Sequence, residues 1–395
     1  MVLALQACMK RKYADLVVHN AVIHVLDETN SKAEAMAIKD GKVLEVGPER
    51  QILNKYRWGR SIDAEKRHIY PGFIDTYGHH LEAMLNGFSK DEWNYNSFEE
   101  AMQPLQQQLF RMGVVEIHEA GISNTLLEWL MAYNKKRKLD VRCYTMLEAN
   151  MANYLFAKKI GIYHKGNLSV RSFHILQDEK HPLVQDSMLT WGQRCQELHY
   201  QLVYYPATVP KNDGFWMAVK NAYATYPDHR WRLVLSEELD AISYENLKKY
   251  ATFPLVLFGD VEKISDPIGN NSHKPQGITF HALKDAFGMF ALGTNNPTFS
   301  QNILEFISQF ADQDKLAMQY VSSKWKDLKL EELLKSMTQW AAFSSFSESN
   351  RGALREGKEA NFFIAKHALT SGNKDNYALQ TYIQGMKVYD SKEEF

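Results

Sequence analysis

Hydrophobic and polar positions alternate over short distances at both ends of the chain. The N-terminal stretches "ADLVVHNAVIHVL" and "AEAMAIKDGKVLEVG" and the C-terminal stretches "KEANFFIAKHAL" and "LQTYIQGMKVYD" each hold short apolar runs separated by turns. Asp40-Gly41 stands between two apolar runs, which is typical of a hairpin, and Gly385 marks a similar turn. We therefore predict that residues 13–67 and 352–395 together build one small β domain.

The middle of the chain has a different pattern, in which apolar, β-branched runs alternate with longer helical segments. Eight such runs stand in order: "HIYPGFIDT", "GVVEIHEAG", "DVRCYTML", "LSVRSFHIL", "YQLVYYPA", "RLVLSEE", "FPLVLFGD" and "GMFALGTN". Between the first two, "SFEEAMQPLQQQLFRM" predicts a helix that opens with a capping box of Ser97 and Glu100. Eight buried strands alternating with helices predict an α/β fold, a (β/α)8 TIM barrel over residues 68–351. The loop 266–277 either covers the barrel mouth or is simply exposed.

Composition narrows the functional classes. Among 395 residues, 46 Lys and Arg balance 47 Asp and Glu, so the net charge of -1 gives no electrostatic argument for nucleic acid or membrane as a partner. Three cysteines without a CxxC pair indicate a reducing compartment, and we predict a cytoplasmic protein with a small-molecule partner. The stretch 1–12 lacks the apolar core of a signal peptide, and we expect a disordered leader or tag there.

Polar side chains collect where the predicted barrel strands end, which is where barrel enzymes place their chemistry. Read from the residues alone, three histidines at one rim could hold Zn²⁺ with an open water position, although a single rim histidine is more often a hydrogen-bonded pocket residue. The candidates at these strand ends are Tyr77, His79, His118, Glu119, His174, Tyr205, Glu237 and Asn295.

Four stretches together resemble a known family. They are "ADLVVHNAVIHVLDETNSKAEAMAIKDGKVLEVG", "PGFIDTYGHH", "GVVEIHEAG" and "NRGALREGKEANFFIA", and they resemble the amidohydrolase superfamily, in particular the YtcJ-like branch of amidohydrolase family 3. The resemblance spans nearly the whole chain. It implies a barrel flanked by a β-sandwich built from both termini, metal-dependent hydrolysis of non-peptide C–N bonds, and the option of a homodimer.

The resemblance also shows departures at the positions where active relatives bind metal. Their Asp-x-His-x-His motif falls on Asp75 to His79, so its first histidine is replaced and only the second remains. Their strand-eight aspartate, which binds metal and shuttles the proton, aligns with an asparagine, and an amide cannot accept that proton. In strand order, the aligned positions are Tyr77, His79, His174 in place of a carboxylated lysine, Tyr205 and Leu235 in place of histidines, and Asn295.

Two hypotheses follow from these departures. The first is a homologue without the usual metal centre and without a cofactor, a pseudoenzyme or ligand-binding protein, with Tyr77, Tyr205 and Glu237 as binding residues. The second is an active hydrolase of small amides or cyclic ureas with a rebuilt site. That site would use Zn²⁺ on the three histidines His79, His118 and His174, together with Glu119 or Asp178.

Overall fold

The computed structural model describes most of the chain. The described residues are 11–177, 185–206, 214–235, 239–258, 280–297, 302–311 and 328–393. Within these ranges, none of the helices has both the length and the apolar character needed to span a membrane.

The strands are numbered in chain order. They are β1 Lys12–His19, β2 Val22–His24, β3 Lys32–Ala33, β4 Ala35–Lys39, β5 Lys42–Gly47, β6 Tyr56–Asp63, β7 His68–Pro71, β8 Phe73–Gly78, β9 Val114–Ile122, β10 Arg142–Glu148, β11 Tyr163–Lys165, β12 Leu168–Leu176, β13 Gln201–Tyr205, β14 Arg232–Leu235, β15 Phe253–Leu257, β16 Ala291–Gly293, β17 Phe362–Ala365, β18 Ala378–Ile383 and β19 Met386–Asp390.

The helices connect and cover these strands. They span Glu49–Lys55, His80–Leu85, Tyr95–Arg111, Asn124–Lys135, Met151–Ile160, Gln185–Leu198, Gly214–Thr225, Ala241–Lys249, Phe280–Phe287, Ile303–Ala311, Leu330–Ser336 and Gln339–Ser344, with a short 3-10 helix at Lys90–Glu92.

Eight parallel strands form the barrel in the order β8, β9, β10, β12, β13, β14, β15, β16. The last strand lies beside the first, since Thr76 Oγ1 donates to the Leu292 carbonyl at 2.8 Å and Asn295 N donates to the Tyr77 carbonyl at 2.9 Å. Each of the eight predicted apolar runs contributes one strand to the barrel. The predicted α/β fold with a TIM barrel is therefore confirmed.

The first predicted barrel strand is divided in the structure. His68–Pro71 pairs with β17 and β2 in a small sheet, whereas Phe73–Gly78 enters the barrel. Gly72 stands at the division, and a Cβ placed there would lie 2.4 Å from Val115, so only glycine allows the two segments to pass this close to β9. The small sheet thus extends past the predicted boundary at residue 67, to Pro71.

Two further sheets flank the barrel. One has the strand order β5, β4, β1, β6 and the other β19, β18, β17, β7, β2, β3, so the second sheet contains strands from both ends of the chain. The predicted hairpin at Asp40-Gly41 is confirmed: both residues have positive φ values, 50° and 74°, between β4 and β5. The turn predicted at Gly385 likewise joins β18 and β19, with φ of 70°.

The first long helix begins earlier than the sequence predicts. Asn94 caps Tyr95–Arg111, and its side chain accepts from Asn96 N at 2.8 Å and from Ser97 N at 3.3 Å. Ser97 is therefore the third helical residue and not the cap, and its hydroxyl accepts from Asn94 N at 3.0 Å. The capping box exists, but it is formed by Asn94 with Ser97 and does not include Glu100.

Candidate functional site

Four aromatic side chains meet where β8, β12 and β13 end. The Tyr77 hydroxyl and His174 Nε2 share a buried hydrogen bond of 2.8 Å. The ring of Tyr77 also meets His79 edge-on at 5.6 Å between centroids and Tyr205 at 6.0 Å, while His79 and His174 lie 6.4 Å apart. The structure thus brings together four of the positions that the resemblance aligns with metal ligands, and it joins them by ring contacts. We call Tyr77, His79, His174 and Tyr205 the mouth cluster.

His174 is buried and neutral at physiological pH. Burial lowers the pKa of its imidazole to about 3, and the nearby His79 lowers this pKa further. A bulge in β9 makes room for the ring: Gly121 has φ of 66°, and a Cβ there would lie 3.3 Å from His174 Nδ1. The glycine in "HEAG" therefore positions the His174 ring.

His79 joins the end of β8 to the helix His80–Leu85. Its backbone N–H donates to the Asn296 carbonyl at 2.9 Å, which fixes the turn against the segment after β16. Burial lowers the pKa of the His79 imidazole, and the opposing effects of Glu82 and of a bond to the Ala120 backbone do not reverse that direction. His79 is half-buried, so its ring is the more accessible of the two mouth imidazoles.

A buried charge network lies directly beneath this turn. His80 Nε2 contacts Asp75 Oδ2 at 2.8 Å, and the Asp75 carboxylate also accepts from Thr294 N at 2.8 Å and Thr294 Oγ1 at 2.6 Å. Glu119 accepts from the backbone N–H groups of His80, at 3.1 Å, and Leu81, at 2.9 Å. The predicted candidate Glu119 is therefore buried and holds the first turn of the helix that follows His79.

His80 was not among the predicted site residues, because on an extended strand its side chain would point away from that of His79. The helix that begins at His80 turns the side chain back onto Asp75. Burial opposes charge on His80, but the hydrogen bond to Asp75 and the charges of Asp75 and Glu119 outweigh it and raise the pKa of the imidazole. Burial raises the pKa of Glu119 to about 7, while His80 and the two backbone bonds oppose that increase. No pattern in the sequence identifies this pair, and the role of Gly78 is visible only in the structure, where a Cβ there would lie 2.6 Å from His80 Nε2.

His118 lies on β9, the strand next to that of Tyr77, and its ring meets Tyr144 of β10 at 5.0 Å between centroids. Both ring nitrogens of His118 are already engaged, Nε2 with Glu116 at 3.2 Å and Nδ1 with an Arg232 nitrogen at 3.0 Å. Burial, followed by the charge of Arg232, lowers the pKa of His118 to about 4 although Glu116 opposes this.

The remaining candidates have separate positions. Asn295 takes a left-handed conformation with φ of 53°, which asparagine tolerates, and its backbone N–H donates to the Tyr77 carbonyl. Leu235, aligned with a histidine ligand, is buried at the end of β14. The predicted residues Glu237 and Asp178 and the loop 266–277 lie outside the described residues.

The residues at the positions aligned with metal ligands do not fit the zinc centre that the resemblance implies. Among the described residues, no group of three or more His, Cys, Asp or Glu side chains is arranged to hold a metal ion. Leucine offers no donor atom and a neutral amide is a weak ligand, so Leu235 and Asn295 cannot replace a histidine and an aspartate. The three-histidine alternative is not formed among the described residues either, because both ring nitrogens of His118 are engaged by Glu116 and Arg232.

Comparison with known proteins gives a weak signal at the level of sequence. No family model matches the chain. An imidazolonepropionase of Brucella anthropi is 36% identical over 66 residues, which is 14% of this chain and 16% of that protein. The chain matches only 16% of the length of that relative, so the match does not give the activity of the whole protein.

Solved structures match over nearly the full length. A metal-dependent hydrolase from Pyrococcus horikoshii, itself uncharacterized, superposes with a TM-score of 0.72 and 12% identity, over 90% of this chain and 98% of its own. An adenosine deaminase from Xanthomonas campestris with bound zinc gives 0.71 and 12%, over 98% and 95%. The chain has their fold. An atrazine chlorohydrolase from Arthrobacter aurescens complexed with zinc also matches, with a TM-score of 0.67 and 12% identity over 95% of this chain and 96% of its own.

Proposed function

We propose that the protein is a member of the amidohydrolase superfamily, of the YtcJ-like branch, that has lost the usual metal centre and binds a small ligand at the barrel mouth. Two observations support the membership: the shared fold with metal-dependent hydrolases and the sequence resemblance across both termini and the barrel. The observation that best supports the proposed loss of the metal centre is the hydrogen bond between Tyr77 and His174. It joins two positions that face the metal in active relatives.

The bond opposes metal binding for a physical reason. A metal-binding imidazole must offer a free lone pair, and the neutral His174 already has Nε2 engaged by the Tyr77 hydroxyl. The position aligned with the aspartate that would take a proton from a metal-bound water holds Asn295, whose amide cannot accept that proton. The replacements Tyr77 and Tyr205 add aromatic surface, which suits an organic ligand better than an ion.

Zinc content tests this proposal. We expect protein expressed with added zinc and freed of any affinity tag to hold well below one zinc per chain by elemental analysis. Adding zinc should leave the unfolding midpoint unchanged, whereas a ligand at one hundred times its Kd would stabilise the fold by about 3 kcal/mol. His281→Ala is the control, because the exposed pair of His281 and Asp285 could bind zinc at the surface. One zinc per chain that survives this substitution contradicts the proposal.

A second candidate is an active hydrolase of small amides or cyclic ureas that uses the mouth imidazoles. The half-buried His79 favours it, because burial lowers the pKa of its imidazole, so that the ring is neutral near pH 7 and could accept a proton. Purified protein should then hydrolyse N-acyl amines or cyclic ureas, and the pair His79→Ala/His174→Ala should abolish turnover. Turnover equal in the pair and in the native protein rules this candidate out, and turnover lost in the pair overturns the first proposal.

We also propose a cytoplasmic protein that acts on or binds a small molecule, with no nucleic acid or membrane partner. The near balance of 46 basic and 47 acidic residues and the absence of a CxxC pair support this. The homodimer suggested by the resemblance belongs to the same proposal, and sedimentation of the purified chain measures it directly.

A further inference from the structure

A cavity lies at the end of the barrel opposite the mouth cluster. It has a volume of about 240 Å³, and side chains from the amino-terminal parts of β9, β10 and β12 and from the segment after the helix Gln339–Ser344 line it. We call it the basal cavity. Its charged and polar lining includes Glu116, Arg142, His164, Arg171, Asn350 and Arg351.

Guanidinium groups outnumber carboxylates around the basal cavity. Arg351 contacts Glu116 at 2.6 Å and Glu359 at 3.3 Å, and Arg142 contacts the same Glu359 at 2.8 Å. These two arginines therefore use both available carboxylates. Arg171 is the third arginine of the lining, and its guanidinium stacks on the Phe346 ring at 3.7 Å, with no ion pair to a described residue. The lining thus keeps an excess positive charge.

Two arginines of the lining carry a buried donor without an acceptor. Nε of Arg142, whose side chain is 6% exposed, and Nε of Arg171 are both buried and have no hydrogen-bond partner among the described residues. A buried donor without a partner costs about 1–3 kcal/mol. The positive charge of the lining also affects the imidazole of His164. Burial lowers the pKa of His164, and the charges of Arg351 and Arg142 lower it further.

The excess positive charge around the basal cavity favours an anion. We propose that the basal cavity binds a small oxyanion, inorganic phosphate or the phosphate group of a small monoester, through Arg171 and Arg142. Guanidinium groups bind phosphate oxygens by paired N–H donors, and Arg171 has no ion pair to a described residue that would compete for them. Pockets for drug-sized ligands measure about 300–1,000 Å³, so 240 Å³ suits a phosphate with few further atoms.

Calorimetric titration tests the proposal on the full chain. We expect saturable one-site binding of inorganic phosphate, of glycerol phosphate, or of both, and the stronger of the two identifies the natural form of the anion. Arg171→Gln should weaken this binding about ten-fold or more, as expected for lost charge-assisted hydrogen bonds, and Arg171→Lys should weaken it less. Both variants keep the ion pairs of Arg142 and Arg351, so we expect them to fold.

Arg194→Gln is the matched control, because Arg194 also stacks on aromatic rings, those of Trp191 and Tyr154, but lies outside the basal cavity. It should bind phosphate as the native chain does. If Arg171→Gln does not fold, Arg171→Lys decides, and native affinity in that variant contradicts the proposal. Absence of saturable binding to the native chain overturns it. Zinc content and hydrolysis measure the mouth cluster alone, so the two proposals fail independently.

Discussion

His174 shows what one buried imidazole does to the stability of the protein. Its folded pKa of about 3 is lower than the ordinary value of 6.5, so the folded state binds fewer protons than the unfolded state between these values. The stability that this group contributes is complete above about pH 6.5 and is lost as pH falls toward the folded pKa. A single group of this kind changes the free energy of unfolding by up to about 1.4 kcal/mol per pH unit.

The unfolding free energy of His174→Leu should therefore depend less on pH than that of the native chain. Between pH 7 and pH 5, we expect the native chain to lose about 2 kcal/mol more unfolding free energy than His174→Leu does. Urea unfolding at several pH values measures the difference. His281→Leu is the control, because it removes an exposed imidazole. Parallel curves for the native chain and His174→Leu would show that folding does not lower the pKa of His174.

Some of the site residues could be predicted from the sequence, and others could not. The positions of Tyr77, His79 and His174 follow from strand ends, because all parallel strands of a barrel end at the same rim. The contacts of His118 could not be predicted, since Arg232 reaches it from β14, more than a hundred residues later in the chain. The basal cavity could not be predicted either, because Arg142 and Arg171 lie far from Arg351 along the chain.

At the scale of elements, the turn from β8 into the helix His80–Leu85 determines the geometry of the mouth. The turn brings the imidazole of His80 under the end of its own strand and onto Asp75. Gly78 allows this return, because the ring occupies the space where a Cβ would be. The eight strands could be predicted from apolar runs, but this return could not, since the pattern of the run gives no sign of where the helix begins.

The turn predicts a strong effect of a single methyl group. Gly78→Ala should displace His80 from Asp75 and destabilise the fold by roughly 3 kcal/mol, the scale of breaking a buried ion pair. Gly87→Ala is the control, because the nearest atom to a Cβ there lies 3.9 Å away. Thermal unfolding of both variants measures the difference. If Gly78→Ala unfolds at the native midpoint, the ring of His80 does not constrain the turn.

At the scale of the whole molecule, Phe363 connects the six-stranded sheet to the barrel. It lies on β17, and its ring meets Phe73 of the barrel edge-on at 5.0 Å and packs against Gly113 just before β9. Its neighbour Phe362 points to the other face of the same strand and stacks on Tyr382 of the small sheet at 4.6 Å. Both phenylalanines are fully buried, so they differ in what they contact and not in exposure.

This pair of residues predicts how the two parts unfold. We expect the native chain to unfold in one calorimetric transition, because contacts such as that of Phe363 couple the sheet to the barrel. Phe362→Ala and Phe363→Ala should each cost about 3–5 kcal/mol, the usual effect of removing a buried ring. Phe362→Ala should keep a single transition, whereas Phe363→Ala should resolve into two. A single transition in both variants would mean that Phe363 is not what couples the two parts, and two transitions in the native chain would mean that they unfold independently.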